Sequence, residues 1–215
     1  VSDRVRWRLV VPVKEASIAK SRLQPPPPLS RPALARALAQ DTLEAVCRGL
    51  PPADVVTVTS DDHIAAIAAS LGCTVVDDPG AGLNAAVREG LQVASVPGAA
   101  VAVLLGDLPA LRAEDLLAGL AACGQHERAV VPDLLGTGTV LLTGGPGVTL
   151  TPRFGTGSAA RHAERAVTLA LDLPRLRQDV DDLADLTAAA QLGVGPHTAR
   201  VLAEAAAHAD VAPAN

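Results

Sequence analysis

The chain of 215 residues holds two lysines, Lys14 and Lys20, and both lie in one stretch, VPVKEASIAKSRL from Val11 to Leu23, with Arg22 two residues beyond the second. A loop with this spacing suits a polyphosphate, because lysine acts as a point charge and arginine as a bidentate fork. A solvated basic loop would have the same composition. GDLPAL, Gly106 to Leu111, puts Asp107 directly after the most apolar run of the chain, Ala99 to Leu105. A carboxylate cannot sit unpaired in a core, so Asp107 belongs at a strand tip, placed to hold Mg²⁺ against a phosphate. The alternative is a helix N-cap, but the next helix begins near Ala113, too far along for Asp107 to reach. QDVDDLADL gathers Asp179, Asp181 and Asp182 before another helix. One of them serves as its N-cap, and a second Mg²⁺ ligand facing Asp107 would explain the excess charge.

Glycine-rich segments supply further candidates. In RFGTGSAARH, Arg153 to His162, Phe154, Gly155 and Gly157 precede a helix that opens near Ser158. Glycines at a helix start expose N–H groups to an anion, although a plain glycine turn is the default reading. Gly136 to Thr139 (GTGT) is a hairpin or loop in which Thr139 can donate to an oxyanion. DDPGAGLNAAV, Asp77 to Val87, has Gly80 and Gly82 for close backbone approach and Asn84 to read a base edge or a ribose hydroxyl. TSDD, Thr59 to Asp62, closes a strand in the same way. Taken singly, these last two are helix caps. No G-x4-GK[ST] phosphate loop occurs anywhere.

The elements that must position these residues alternate between strand and helix patterns. Strands are predicted over Trp7–Val13, Asp54–Thr59, Cys73–Val76, Ala99–Leu105, Ala129–Pro132, Thr139–Leu142 and Ala166–Leu171. Helices are predicted over Pro32–Leu50, Asp62–Leu71 with Gly72 as its stop, the end of Gly80–Val93, Ala113–Ala122, Ser158–Glu164, Asp182–Gln191 and His197–His208. Pro25 to Pro28 favour an extended polyproline segment inside a polar loop, Lys14 to Ser30. Alternation of this kind implies a mostly parallel sheet covered by helices on both faces, with ligands beyond the carboxyl ends of the strands. One domain is expected over residues 1–209, with 210–215 as a frayed tail.

Composition narrows the function classes. The chain is 49% hydrophobic with a net charge of -5, so it has a globular core. It has one Trp, one Phe and no Tyr, and this scarcity with the acidic balance excludes a base-stacking nucleic-acid surface. Trp7 opens the first buried run and reads as packing. Cys47, Cys73 and Cys123 show no metal spacing and read as reduced, buried thiols of a cytoplasmic protein. The five histidines lack zinc spacing. No apolar run is long enough to span a membrane, and the N-terminus has no secretory core. With lysine and phenylalanine this scarce, their survivors mark candidate sites.

VPVK…AKSRL, TSDD, DxGxGLN, GDLPAL, the glycine-rich GT segment, FGxGSxxxH and DVDxxxDL together resemble the phosphoenolpyruvate or 2-phospho-L-lactate guanylyltransferases of deazaflavin coenzyme F-420 biosynthesis. The resemblance runs from about Val5 to Thr187. It implies a three-layer α/β/α nucleotidyltransferase (Rossmann-like) fold, related to the molybdenum-cofactor guanylyltransferases. It implies GMP transfer from GTP to the acceptor's phosphate with loss of pyrophosphate, in the cytoplasm, with Mg²⁺ as cofactor and a downstream precursor transferase as partner. By this likeness Lys20 and Asp107 are catalytic, and Asp107 and Asp181 hold Mg²⁺. Lys14, Lys20, Arg22, Asp61, Gly82 and Asn84 bind the nucleotide, and Thr139, Gly155 and Ser158 bind the acceptor. One departure stands out: relatives carry GTN where this chain has Gly138-Thr139-Val140. Two alternatives remain. A molybdenum-cofactor guanylyltransferase would carry LxGGxSxRxG after the first strand, where this chain has PVKEASIAKSRL. An inactive nucleotide-binding partner protein would not need both lysines with Asp107 and Asp181.

Overall fold

A computed structural model describes residues 5–211 apart from Ile18, Ser21, Pro26 and Pro28. In chain order it forms β1 (Trp7–Pro12), α1 (Arg31–Gly49), β2 (Val55–Val58), α2 (Asp62–Leu71), β3 (Thr74–Val76), α3 (Leu83–Ala94), β4 (Ala100–Leu104) and α4 (Ala113–Cys123). Then follow β5 (Arg128–Pro132), β6 (Thr139–Gly144), α5 (Ser158–Ala163), β7 (Val167–Thr168), α6 (Pro174–Arg177), α7 (Leu183–Leu192) and α8 (Pro196–Val211).

The strands make one seven-stranded sheet in the order β3-β2-β1-β4-β6-β5-β7. Pairing is parallel throughout except at β6, which runs antiparallel to both β4 and β5. Successive strand residues face opposite sides, and helices cover both. Leu9 and Val11 of β1, Ala102 and Leu104 of β4 and Leu141 of β6 pack with α1, α2 and α4, through Leu43, Val46, Ile64, Leu116 and Leu120. Val10, Val56, Val58, Val101 and Val103 face the other way, onto Ala86, Val87 and Leu91 of α3, with Phe154 beyond them. This is the near-continuous apolar strand pattern that double coverage requires. Trp7 lies in the first of these layers, 8% exposed, as packing. A third cluster joins Leu23, Leu34 and Leu38 to Val180 and Leu186, and so ties the lysine loop to α7.

Local sequence sets the helix ends. Ser30 caps α1, with Pro32 in the first turn. Asp61 caps α2, and Gly72 ends it at φ 90°. Asp182 forms a reciprocal capping box with Asp185 at α7. α3 can lie close on the sheet because its mid-helix residue is Gly90, where an added Cβ would stand 2.7 Å from Val58 Cγ2 and closer still to Val10.

Two expectations change, and two of the cysteines expected as thiols meet. The strand predicted over Ala166–Leu171 shrinks to Val167–Thr168; Leu169 N–H still donates to Val130 C=O at 2.9 Å, and the side chains of Leu169 and Leu171 pack against the helix-side core. α6 was not anticipated; its four residues are too few to show a periodicity. Cys47 and Cys73, distant in sequence, meet with sulfurs 3.4 Å apart, both as free thiols. Of the Pro25–Pro28 run, Pro26 and Pro28 lie outside the described residues, as do 212–215 of the tail. No helix among the described residues is long and apolar enough to cross a membrane.

Candidate active site

The carboxyl ends of β1, β4 and β5 and the start of the reversed β6 share one edge of the sheet, and a cavity of about 620 Å³ opens there. The loop after β1 brings Lys14, Lys20 and Arg22 to its wall. Three contacts anchor that loop: Ala16 N–H donates to Asp61 Oδ2 at 3.1 Å, Ala19 is buried, and Leu23 is fully buried in the α7–α8 cluster.

The turn after β4 brings Asp107. Gly106 lets the tips of β1 and β4 approach, since a Cβ there would meet Val13 Cγ2 at 2.7 Å. The hydroxyl of Thr42 on α1 accepts from Leu108 N–H at 3.0 Å and donates to Leu38 C=O at 2.8 Å, which fixes the turn against α1. Val180 N–H donates to the carbonyl of Asp107 at 3.2 Å. That one bond brings the Asp179–Asp182 segment alongside Asp107.

Lys20 sits between these segments. Its Nζ pairs closely with Asp107 Oδ2 and lies 3.2 Å from Asp181 Oδ1, while Arg22 pairs with the other oxygen of Asp181. Burial alone would lower the Lys20 pKa, but Asp107 and Asp181 outweigh it and raise it, so the ammonium stays charged. Lys20 holds a left-handed backbone at φ 54°, alone among the described non-glycine residues. Such strain persists where surrounding contacts over-determine it.

Burial, followed by the charges of Asp107 and Asp181, pushes the Asp179 carboxyl up to about 7. Six aspartates line the cavity (107, 133, 179, 181, 182 and 185) against Lys14, Lys20 and Arg22. No group of three or more His, Cys, Asp or Glu side chains is arranged to hold a metal among the described residues. Even so, the donors fit one: Asp107 Oδ1 is buried without a hydrogen-bond partner, and the aspartates outnumber the cations. Hard carboxylate oxygens of this kind suit Mg²⁺.

The opposite wall carries Thr139, Gly155 and Ser158. Asp133, at the end of β5, accepts from Thr137 N–H at 2.8 Å and Gly138 N–H at 2.7 Å and so shapes the loop into Thr139. Two amides at the start of α5 are already engaged: Ser158 N–H donates to Gly155 C=O and Ala159 N–H to Thr137 C=O. These two are therefore not open to an anion, contrary to the reading of this turn as a set of exposed amides. Val140, the departure noted from the GTN of the family pattern, is fully buried in the helix-side core and does not line the cavity.

Of the expected site residues, the structure brings together Lys14, Lys20, Arg22, Asp107, Asp181, Thr139, Gly155 and Ser158. Asp61, Gly82 and Asn84 do not line the cavity. Asp61 is 1% exposed and is fully used: it caps α2, accepts from Ala16 and pairs with Arg36 at 3.0 Å. Gly82 is the N-cap of α3. Asn84 clasps the backbone of Phe154, accepting from its N–H at 2.7 Å and donating to its carbonyl at 3.1 Å. Its amide is thus engaged by the Phe154 loop. Sequence reasoning missed Asp133, whose signal is the PDxxGTG pattern around it, and left Asp179 as one of an undivided acidic cluster.

A doubly covered sheet with one reversed strand, and with a lysine bound by two aspartates at its carboxyl edge, defines a three-layer α/β/α nucleotidyltransferase. The solved structure of a cytidylyltransferase from Leptospira borgpetersenii serovar Hardjo-bovis shares this fold, with a TM-score of 0.54, 13% identity and 96% of each chain covered. Residues 7–203 match the family model "Guanylyl transferase CofC like", and the chain belongs to that family. It is similar to the phosphoenolpyruvate guanylyltransferase of Salinispora arenicola, 50% identical over 206 residues that cover 93% of this chain and 95% of that one. The phosphoenolpyruvate guanylyltransferase of Streptomyces coelicolor is likewise 50% identical, over 205 residues covering 93% and 97%.

Proposed function

We propose that this enzyme transfers GMP from GTP to the phosphate of phosphoenolpyruvate in the biosynthesis of coenzyme F-420. An acceptor phosphate oxygen attacks the α-phosphorus, the bond to the β-phosphate breaks, pyrophosphate leaves, and a guanosine diphosphate diester forms. The observation that carries this reading is Lys20 set between Asp107 and Asp181 at the carboxyl edge, opposite Thr139 and Ser158. The names of the relatives favour phosphoenolpyruvate over 2-phospho-L-lactate.

The chemistry needs little from the protein beyond placement and charge. A phosphate monoester is already ionised near neutral pH, so no general base is required. Lys20, with Lys14 and Arg22 beside it, neutralises the triphosphate, and the wall of Thr139, Gly155 and Ser158 seats the acceptor. Asp107 and Asp181, with Asp179 adjacent, would hold Mg²⁺, which supplies the positive charge that a polyanion needs beside six aspartates.

The test is pyrophosphate release from GTP with Mg²⁺ and either acceptor. The downstream transferase and its deazaflavin substrate are included to trap the diester. Release with phosphoenolpyruvate is expected, and silence with both acceptors would overturn the reading.

A further inference from the structure

Behind Thr139 lies a buried side chain to which this mechanism gives no task. His162 of α5 is 4% exposed. Its Nδ1 is 2.9 Å from Thr139 Oγ1, and its Nε2 accepts from the main-chain N–H of Arg153 at 2.9 Å. An amide N–H can only donate, so Nε2 carries no proton. A neutral imidazole then holds its proton on Nδ1, and that proton points at Thr139. The hydroxyl oxygen of Thr139 is thus an acceptor toward the ring, and its own hydrogen cannot go there. Among the described residues this hydroxyl shows no other hydrogen bond, and Thr139 lines the cavity.

We propose that His162, fixed by Arg153 in its Nδ1–H form, is a positioning residue that makes the Thr139 hydroxyl an obligate donor to an oxyanion of the acceptor. The proposal rests on the acceptor wall assigned above. A free threonine hydroxyl rotates between donor and acceptor roles, and an incoming anion must select one of them. Here the selection is made before the acceptor arrives. The surroundings keep the ring neutral. Burial lowers its pKa, and so do the charges of Arg161 on the same helix and Arg153 in the preceding loop; Phe154 lies edge-on at 4.9 Å. Arg128 and Arg165 add positive charge in a second cavity, of about 390 Å³, on whose wall the ring also lies. The carboxylate of Glu164 is taken up by Arg153.

Two measurements on the full chain test this. The first is two-bond proton–nitrogen NMR on isotope-labelled histidine in the wild-type protein, with His162→Gln used only to assign the signal. The Nδ1–H form is expected at His162, and an Nε2–H form would overturn the proposal. The second separates the Michaelis constants for the two substrates. His162→Gln and Thr139→Val should each raise KM for phosphoenolpyruvate on the order of tenfold or more and leave KM for GTP near its wild-type value. His162→Asn, whose amide can still donate toward Thr139, should recover most of the loss. In the Thr139→Val background, His162→Gln should cost nothing further in acceptor KM. Additive losses, or losses shared equally by both substrates, would mean that His162 only supports the fold. A wild-type enzyme silent with both acceptors would instead overturn the assignment of the wall, an outcome distinct from a wrong tautomer in an active enzyme.

Discussion

Asp107 carries opposed obligations. One oxygen is held by Lys20 while the other is buried without a partner, and its charge adds to the crowding that raises Asp179. A group selected only for stability would not be left so. Asp107→Asn is therefore expected to cut turnover on the order of a hundredfold or more while the thermal midpoint stays level or rises. Paired pyrophosphate and thermal-shift assays would check both halves, and a large loss of midpoint would point to a structural cap. On the function proposed above, the same crowding would call for a divalent ion when the triphosphate binds. Titrating GTP calorimetrically in EDTA should show affinity at least about tenfold below that in Mg²⁺. That Lys14, Lys20, Arg22, Asp107 and Asp181 would gather at one place was legible in the sequence, because charged residues just after strands fall at the carboxyl edge of such a sheet, and all five line the cavity there. Asn84 and Asp61 were not, because their partners, the Phe154 backbone and Ala16, lie 70 and 45 residues away. A side chain that can read a base can equally clasp a loop, and only tertiary proximity decides which.

At the scale of elements, the helices and central strands follow from apolar period and capping residues, with ends off by up to three residues. The failures lie where the period is too short to read, at α6 and β7. Long-range caps were also invisible. Asp41 of α1 accepts from His197 N–H at 3.0 Å and Thr198 N–H at 2.8 Å, so one helix caps the first turn of another, α8. Its neighbour Glu44 pairs with His197 Nε2 at 2.7 Å. Asp41→Ala leaves two amides without their acceptor and should cost about 1–3 kcal/mol, seen as a lower denaturation midpoint and faster hydrogen exchange in α8. Gly90→Ala pushes α3 off β1 and β2 and should cost a similar amount, about 1–3 kcal/mol.

For the whole molecule, stability and pH are linked through His162. Buried, and flanked by Arg161 and Arg153, it stays neutral down to about 4, whereas an unfolded histidine titrates at 6.5. Between these values the unfolded chain binds a proton that the folded chain refuses. The contribution is complete above pH 6.5 and falls by about 1.4 kcal/mol per unit as pH drops toward 4. Urea midpoints should therefore decline from pH 7 to pH 5, and less so in His162→Asn (about 1.4 kcal/mol per unit is the ceiling for one residue). An undiminished slope in the variant would assign the decline to other groups.

The reversal of β6 has a consequence for heredity. Because that strand runs against its neighbours, the wall proposed to seat the acceptor lies in one passage of sequence, Asp133 to Ser158. The wall proposed to take the nucleotide is gathered from the β1 loop, the β4 turn and the segment before α7. Change confined to the single passage can retune which acid is taken, while the scattered residues that handle the triphosphate are left as they were.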